Sequence, residues 1–217
     1  MIGIYFIATS TYKVYIPEFL DSLEKFRPGR KKKVILLVDE IQEISQKHLE
    51  YLEVEQHIIS DAPWPIITLL KMWYIYKYRG DYSEIYYFNA NVQIQKDIVP
   101  CDSRLIVTHH THSIKENDGH DFLSPNDDNP KSLSYIGLHN YSYIQGGFFG
   151  GPSEIVYRMC KDVSDWVESD LKRGIIPKWH DESYLNKWKT LHENLCNVIY
   201  VWDSIYLVYN EGFIPKK

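Results

Sequence analysis

Through the first half of the chain, short apolar runs alternate with segments whose apolar residues recur at helical spacing, and this alternation restricts the fold more than any other feature. Ile2 to Ala8, Lys33 to Val38, Val54 to Ile59 and Glu84 to Phe88 are strand-length runs; polar residues such as Thr9-Ser10-Thr11 and Asp39-Glu40 close the first two. Between them, Pro17 can open a helix in which Phe19, Leu20, Leu23 and Phe26 share a face before Pro28-Gly29 ends it. Ile44 to Tyr51 and Ile66 to Tyr78 supply two more helical stretches, the second entered through Pro63-Trp64-Pro65. Alternation of this kind covers both faces of a sheet with helices, which predicts an α/β fold with a mostly parallel central sheet.

The second half is less regular. Arg104 to Thr108 reads as a further strand, and the polar stretch from Lys115 to Ser134 as a long loop or cover. Tyr141 to Phe149 leads through two glycine pairs into a helix carrying Ile155, Met159, Val163, Val167 and Leu171, which stops at Gly174. Pro177 to Trp188 follows, then a late strand from Asn197 to Val201. No repeat, linker or low-complexity block interrupts the chain, so one domain over 1–217 is expected.

Charge and composition exclude several functions. A formal net charge of −5 leaves no electrostatic footprint for a nucleic acid, and the basic run from Arg30 to Lys33 reads as a solvated loop. No apolar run reaches the length of a membrane span, and Met1 to Ala8 has neither the basic flank nor the length of a signal segment. Cys101, Cys160 and Cys196 share no metal-ligand spacing and read as reduced and buried, which fits a cytoplasmic protein. Aromatic residues make up 15% of the chain, and their flat faces stack on sugars as readily as they pack cores.

Three segments carry chemistry. In Phe88-Asn89-Ala90-Asn91 a strand delivers two amides where ligands of open α/β sheets bind. Amides can donate to phosphate or sugar oxygens without a cation, whereas aspartates there would indicate a hard metal ion. A plain turn accounts for the same residues. In Gln145-Gly146-Gly147-Phe148-Phe149-Gly150-Gly151 the glycines allow a ligand close to the backbone, or make a structural turn. Trp179-His180-Asp181-Glu182-Ser183 sets an aromatic face beside paired carboxylates, as sugar chemistry requires. The acids also suit the first turn of a helix. His109, His110 and His112, with His120 and Asp121, invite a zinc reading, but His109 and His110 are adjacent and no HExxH motif supports it.

Taken in order, FNAN, QGGFFGG, WHDESYLNK and Tyr200-Val201-Trp202-Asp203 resemble glycosyltransferase family 6, which holds the blood-group A and B transferases, the α-1,3-galactosyltransferases and bacterial relatives. The resemblance spans about Ile4 to Asp203 and implies a GT-A type nucleotide-sugar-binding fold, Rossmann-like in its parallel sheet. Animal members bind a divalent metal through a DxD motif; Asn89-Ala90-Asn91 matches the bacterial members that work without one, so no metal cofactor is expected.

The resemblance also implies site residues. Phe6, Ala8 and Tyr12 match positions that hold uracil and ribose; Trp64 precedes the donor-binding helix, and Lys71 stands where relatives have arginine. Asn89, Ala90 and Asn91 complete the donor side with Gly146, Gly147, His180 and Asp181. A glycine at position 147 leaves room for an acetamido group and favours UDP-GalNAc over UDP-galactose. Glu182 matches the catalytic glutamate under the anomeric carbon, and Trp179, Gln145, Asp203 and His110 match acceptor positions, with Glu182 also facing the acceptor. Lys216 and Lys217 are candidates for a basic lid over the donor. The expected activity is retaining, metal-independent α-1,3 transfer of GalNAc or galactose onto a galactoside, in a cytoplasmic enzyme of bacterial or phage type. The rivals are a non-catalytic galactoside-binding module and a metal-dependent hydrolase.

Overall fold

Residues 1–99, 103–109, 127–137 and 143–199 and the backbone of 207–209 are described by a computed structural model. Strands β1 (Ile2–Ile7), β2 (Lys32–Val38), β3 (Glu53–Ile58) and β4 (Glu84–Asn89) lie in parallel, with Tyr5 of β1 opposite Ile35 of β2 on one side and Tyr87 of β4 on the other. The sheet continues through β7 (Ile144–Pro152), β6 (Leu105–His109) and β8 (Cys196–Ile199), giving seven strands in the order β3-β2-β1-β4-β7-β6-β8. Only β7 runs against its neighbours in this sheet, since β8 is parallel to β6 and both β4 and β6 are antiparallel to β7. This is the mostly parallel α/β architecture expected of a GT-A type fold. A separate two-stranded pairing joins β5 (Val92–Ile94) to β9 (Leu207–Tyr209) and has no counterpart in the sequence-based expectation.

Strand side chains alternate between faces, so each strand feeds two cores. Ile2, Ile4, Phe6 and Ala8 pack with Phe19 and Leu20 of helix α1 (Ile16–Ser22) on one side. Tyr5 and Ile7 share the other side with α3 (Ile66–Lys77), α4 (Ser153–Lys172) and α5 (Asp181–Leu191), which contribute residues such as Met72, Met159 and Trp188. The stretch from Ile44 to Tyr51 supplies one helical turn, α2 (Gln46–Leu49), rather than the longer helix its apolar residues suggest. Cys160 and Cys196 are free and buried; Cys101 lies outside the described residues. Among the described residues no helix is long and apolar enough to cross a membrane.

The glycine pairs correct one expectation. Rather than a turn into the helix, they lie inside β7. Gly150 permits tight strand packing, because a Cβ there would sit 2.1 Å from Tyr86 Cδ1 and 2.7 Å from the Ile85 carbonyl oxygen. Gly146 and Gly147 lie where the ladder slips. Val107 is opposite Phe149 and His109 opposite Ile144, so β6 advances two residues (109 − 107) while β7 uses five (149 − 144). Such a bulge re-aims the strand, and the rim of a sheet beside a site is where bulges recur.

Candidate active site

Trp64, Thr68, Lys71, Asn89, Gly146, Trp179, His180, Asp181 and Glu182 line one cleft of about 260 Å³. It opens where β4 ends in Asn89, at the carboxyl edge of the parallel strands. Thr68 and Lys71 are one turn apart on α3 and so share its cleft face. Asp181 and Glu182 form the first turn of α5. The acids therefore stand at a helix start, as one reading expected, and they also line the cleft.

The two carboxylates have different partners. Asp181 Oδ2 lies 2.6 Å from Lys71 Nζ, and both side chains are almost fully buried. A buried pair needs further hydrogen bonds to offset desolvation; Lys71 Nζ donates one to the Gly146 carbonyl oxygen at 2.7 Å. The ammonium also stands 4.9 Å from the centre of the Tyr87 ring. Burial opposes its charge, but the carboxylates of Asp181 and Glu182 outweigh that and hold Lys71 above the ordinary lysine pKa.

Glu182 is held by neutral donors instead. The Gly146 N–H donates to Oε1 at 2.8 Å and the Tyr143 hydroxyl to Oε2 at 2.5 Å. Burial, reinforced by the charge of Asp181, raises the pKa of Glu182; Tyr143, the Gly146 N–H and Lys71 act the other way without cancelling the rise. Gly146 thus touches both halves of the site, and any larger residue would displace the ion pair. A Cβ there would lie 2.3 Å from Asp181 Oδ2 and 3.0 Å from Lys71 Nζ.

His180 enters the helix with φ 51° and ψ −123°, a conformation costly for a residue with a Cβ. Its ring meets Trp64 edge to face with centroids 4.5 Å apart. Burial lowers its pKa despite the nearby Asp181, which favours a neutral imidazole. Asn89 Oδ1 accepts the Tyr87 hydroxyl hydrogen at 2.8 Å. Trp64 and Trp179 remain 63% and 40% exposed, large flat faces at the mouth of the cleft.

Other expected site residues lie elsewhere. The Phe6 ring stacks on Phe19 at 3.9 Å, so it belongs to the core beneath the cleft. Ala8 is buried just past β1, with its N–H bonded to the Leu37 carbonyl oxygen at 2.9 Å, and Tyr12 is half exposed in a short 3-10 turn spanning Ser10–Tyr15. Ala90 is buried and Asn91 half-buried beyond β4, and neither lines the cleft. Gly147 and Gln145 are buried in β7. His109 is buried at the end of β6. His110, His112, His120, Asp121, Asp203, Lys216 and Lys217 lie outside the described residues, as does the expected lid.

Tyr143, Thr68, Tyr87 and Asn186 were missed by motif reading. Thr68 and Asn186 were within reach of helical spacing, one turn from Lys71 and Glu182. Tyr143 had no such signal, because the bulge brings it to Glu182.

Comparison with known proteins adds an independent finding. The family model described as glycosyltransferase family 6 matches residues 1–208. An O-antigen biosynthesis glycosyltransferase, WbnI of Escherichia coli, is 32% identical over 216 residues, covering 95% of this chain and 89% of its own. Histo-blood group ABO system transferase 1 of Rattus norvegicus is 38% identical over 78 residues, 35% of this chain and 22% of the rat protein.

Proposed function

The chain belongs to glycosyltransferase family 6, and from that premise we propose that it transfers GalNAc, or galactose, from a UDP-sugar to a β-galactoside in α-1,3 linkage, with retention and without a metal ion. One observation carries the reading: a buried carboxylate pair whose members are held differently under one glycine. Asp181, fixed by Lys71, is suited to bind donor-sugar hydroxyls. Glu182, fixed by neutral donors, makes no ion pair of its own among the described residues, and once ionised its carboxylate faces the anomeric carbon, where positive charge develops as UDP departs. Attack by Glu182 to form a glycosyl-enzyme and same-face transfer with Glu182 as electrostatic support both require the ionised carboxylate. Trp64 and Trp179 supply faces for the sugars.

The metal-free part of the proposal is supported by Asn89. Its amide oxygen accepts from Tyr87, and its NH2 is the group left to a diphosphate oxygen. Lys71 adds positive charge on the same wall. The donor part rests on the family resemblance at Gly147, where glycine implies room for an acetamido group; the residue is buried in β7 next to the cleft-lining Gly146.

Transfer from UDP-GalNAc and UDP-galactose to lactose and 2′-fucosyllactose, with EDTA present, tests the proposal beside Glu182→Gln. Turnover that survives EDTA and collapses in the variant is the expected result. Activity restored only by manganese overturns the metal-free mechanism; galactoside binding without UDP-sugar turnover overturns the transferase. Gly147→Ala is expected to reduce use of UDP-GalNAc relative to UDP-galactose by about 10- to 200-fold, measured as the ratio of kcat/KM values.

A further inference from the structure

The two hydrogen bonds on the Glu182 carboxylate come from Gly146 in β7 and from Tyr143, the residue just before that strand, and both lie at the stretch that has left the regular ladder. Tyr143 and Gly146 lie on either side of Ile144, at the point where β7 uses five residues against two of β6. Ladder pairing with β4 ends at Phe148 opposite Phe88, and β6 meets this stretch again only at His109 opposite Ile144, so among the described strands the sheet pairs Ile144 with β6 and not with β4.

Asn186 holds this stretch as well. Its Oδ1 accepts from the Ile144 N–H at 2.9 Å, and its Nδ2 donates to the Ile144 carbonyl oxygen at 2.8 Å. One side-chain amide thus pairs with a strand residue as a neighbouring strand would. The same Nδ2 donates to the Glu182 carbonyl oxygen, also at 2.8 Å, one turn back on α5. Asn186 is 2% exposed and does not line the cleft. Neither a carboxylate nor an apolar side chain can make this set of bonds, because it requires a donor and an acceptor on one flat group.

We propose that Asn186 is a positioning residue: by pairing with Ile144 it fixes the bulged part of β7 against α5 and so sets where Tyr143 and the Gly146 N–H meet the Glu182 carboxylate. The proposal rests on Glu182 being the catalytic carboxylate. Around that carboxylate stand Asp181 and His180 at the start of α5, Lys71 from α3, Tyr143 just before β7 and the Gly146 N–H within it. Of these, only the Tyr143 and Gly146 donors depend on Asn186 for their place. Loss of Asn186 therefore weakens two bonds that favour the ionised form of Glu182 and leaves Lys71 and Asp181 paired.

The test uses the full chain with the neutral variants Asn186→Leu and Asn186→Ser, Tyr143→Phe, and Glu182→Gln as control. Either Asn186 variant, folded as judged by its melting curve, should lose about 10- to 100-fold in kcat, with KM for the UDP-sugar little changed. The acid limb of its pH–rate profile should move to higher pH, and Tyr143→Phe should move it the same way. Combined with Asn186→Ser, Tyr143→Phe should cost less than the product of the single effects, because both act on one contact. A folded Asn186 variant with unchanged kcat, or one slowed without movement of the limb, overturns the proposal. So does an unmoved limb in Tyr143→Phe, which decides the matter even if both Asn186 variants fail to fold. Full activity in Glu182→Gln would instead overturn the catalytic assignment on which the proposal rests.

Discussion

The four parallel strands β1 to β4 and the β7–α5 region were built by different means. In the first, nearly every inward residue is apolar: β1 is buried at all six positions, and Val34, Ile35, Leu36, Leu37 and Val38 follow in β2. In the second, β7 carries four glycines between Gln145 and Pro152, and the side chains that bond its first residues are polar. Lys71, Asp181, Glu182 and Asn186 are bonded there to backbone or to one another. Nearby, the buried Asp170 of α4 accepts from Ser132 Oγ, the Leu133 N–H and Tyr184 OH at 2.8–2.9 Å, which ties the 127–137 segment to both α4 and α5. Apolar packing tolerates small errors of shape, whereas a buried polar group tolerates no missing partner. The proposed reaction would use the less tolerant region, where exclusion of water, neighbouring charge and hydrogen bonds together tune the carboxylates.

The comparison is broken most directly at Lys71. Lys71→Met leaves Asp181 buried without its counter-charge, and removing one member of a buried ion pair costs about 3–5 kcal/mol. Thermal or urea unfolding measures this loss, and the variant should also fail to turn over UDP-sugar. A cost below about 1 kcal/mol, the level of an exposed pair, would mean that the pair is wetter than its burial implies.

Gly146→Ala comes next. The added methyl meets the Asp181 carboxylate, so the pair or the bulge must shift, at about 1–3 kcal/mol of stability. Catalysis should suffer more than stability, because the same residue's N–H holds Glu182. Comparing the melting temperature with kcat separates the two effects; equal, small losses in both would show that the bulge can move without disturbing the carboxylates.

The pH–rate profile sharpens the comparison by a smaller amount. Glu182 has a raised pKa and the proposed reaction requires it ionised, so kcat/KM should fall as pH drops through a limb lying above the ordinary glutamic acid value. Burial is the main cause, so Lys71→Arg, which keeps the charge, should leave the limb nearly in place. A limb at the ordinary value would mean that water reaches Glu182 in the working enzyme.

How much was legible in the sequence divides along the same line. β1, β2 and most of β4 were legible because buried parallel strands are plain apolar runs, whereas β3 at the sheet edge is half-exposed and carries Glu53, Glu55, Gln56 and His57; the observed bounds differ from the expected ones by a residue or so. WHDES was legible as a helix start and as a carboxylate pair, and Lys71, Asn89, Gly146, Trp64 and Trp179 do meet in one cleft with Asp181 and Glu182. β7 was hidden because glycine carries no hydrophobic signal and normally weakens strands. Tyr143 was hidden for a related reason: its contact with Glu182 arises beside a three-residue slip in register (5 − 2), which no local pattern encodes. Phe6, which the resemblance gave as a donor-side position, has its ring stacked on Phe19 in the core.

The smallest effect is expected in the parallel region. Ile35 is 1% exposed in β2 and packs in the core that also contains Tyr5 and Tyr87, with no ionisable group of the cleft bonded to it. Ile35→Val removes one methylene and should cost about 0.5–1.5 kcal/mol. Because the neighbouring strands can close part of the gap without breaking a hydrogen bond, KM, kcat and the acid limb should all remain at their original values. The measurement is a melting curve beside a full pH–rate profile on the same preparation. If the variant loses stability alone, the parallel strands act as scaffold and the bulged region sets the chemistry. If the acid limb moves as well, packing strain in β2 reaches Glu182 through Tyr87 and Lys71, and the two regions are one mechanical unit.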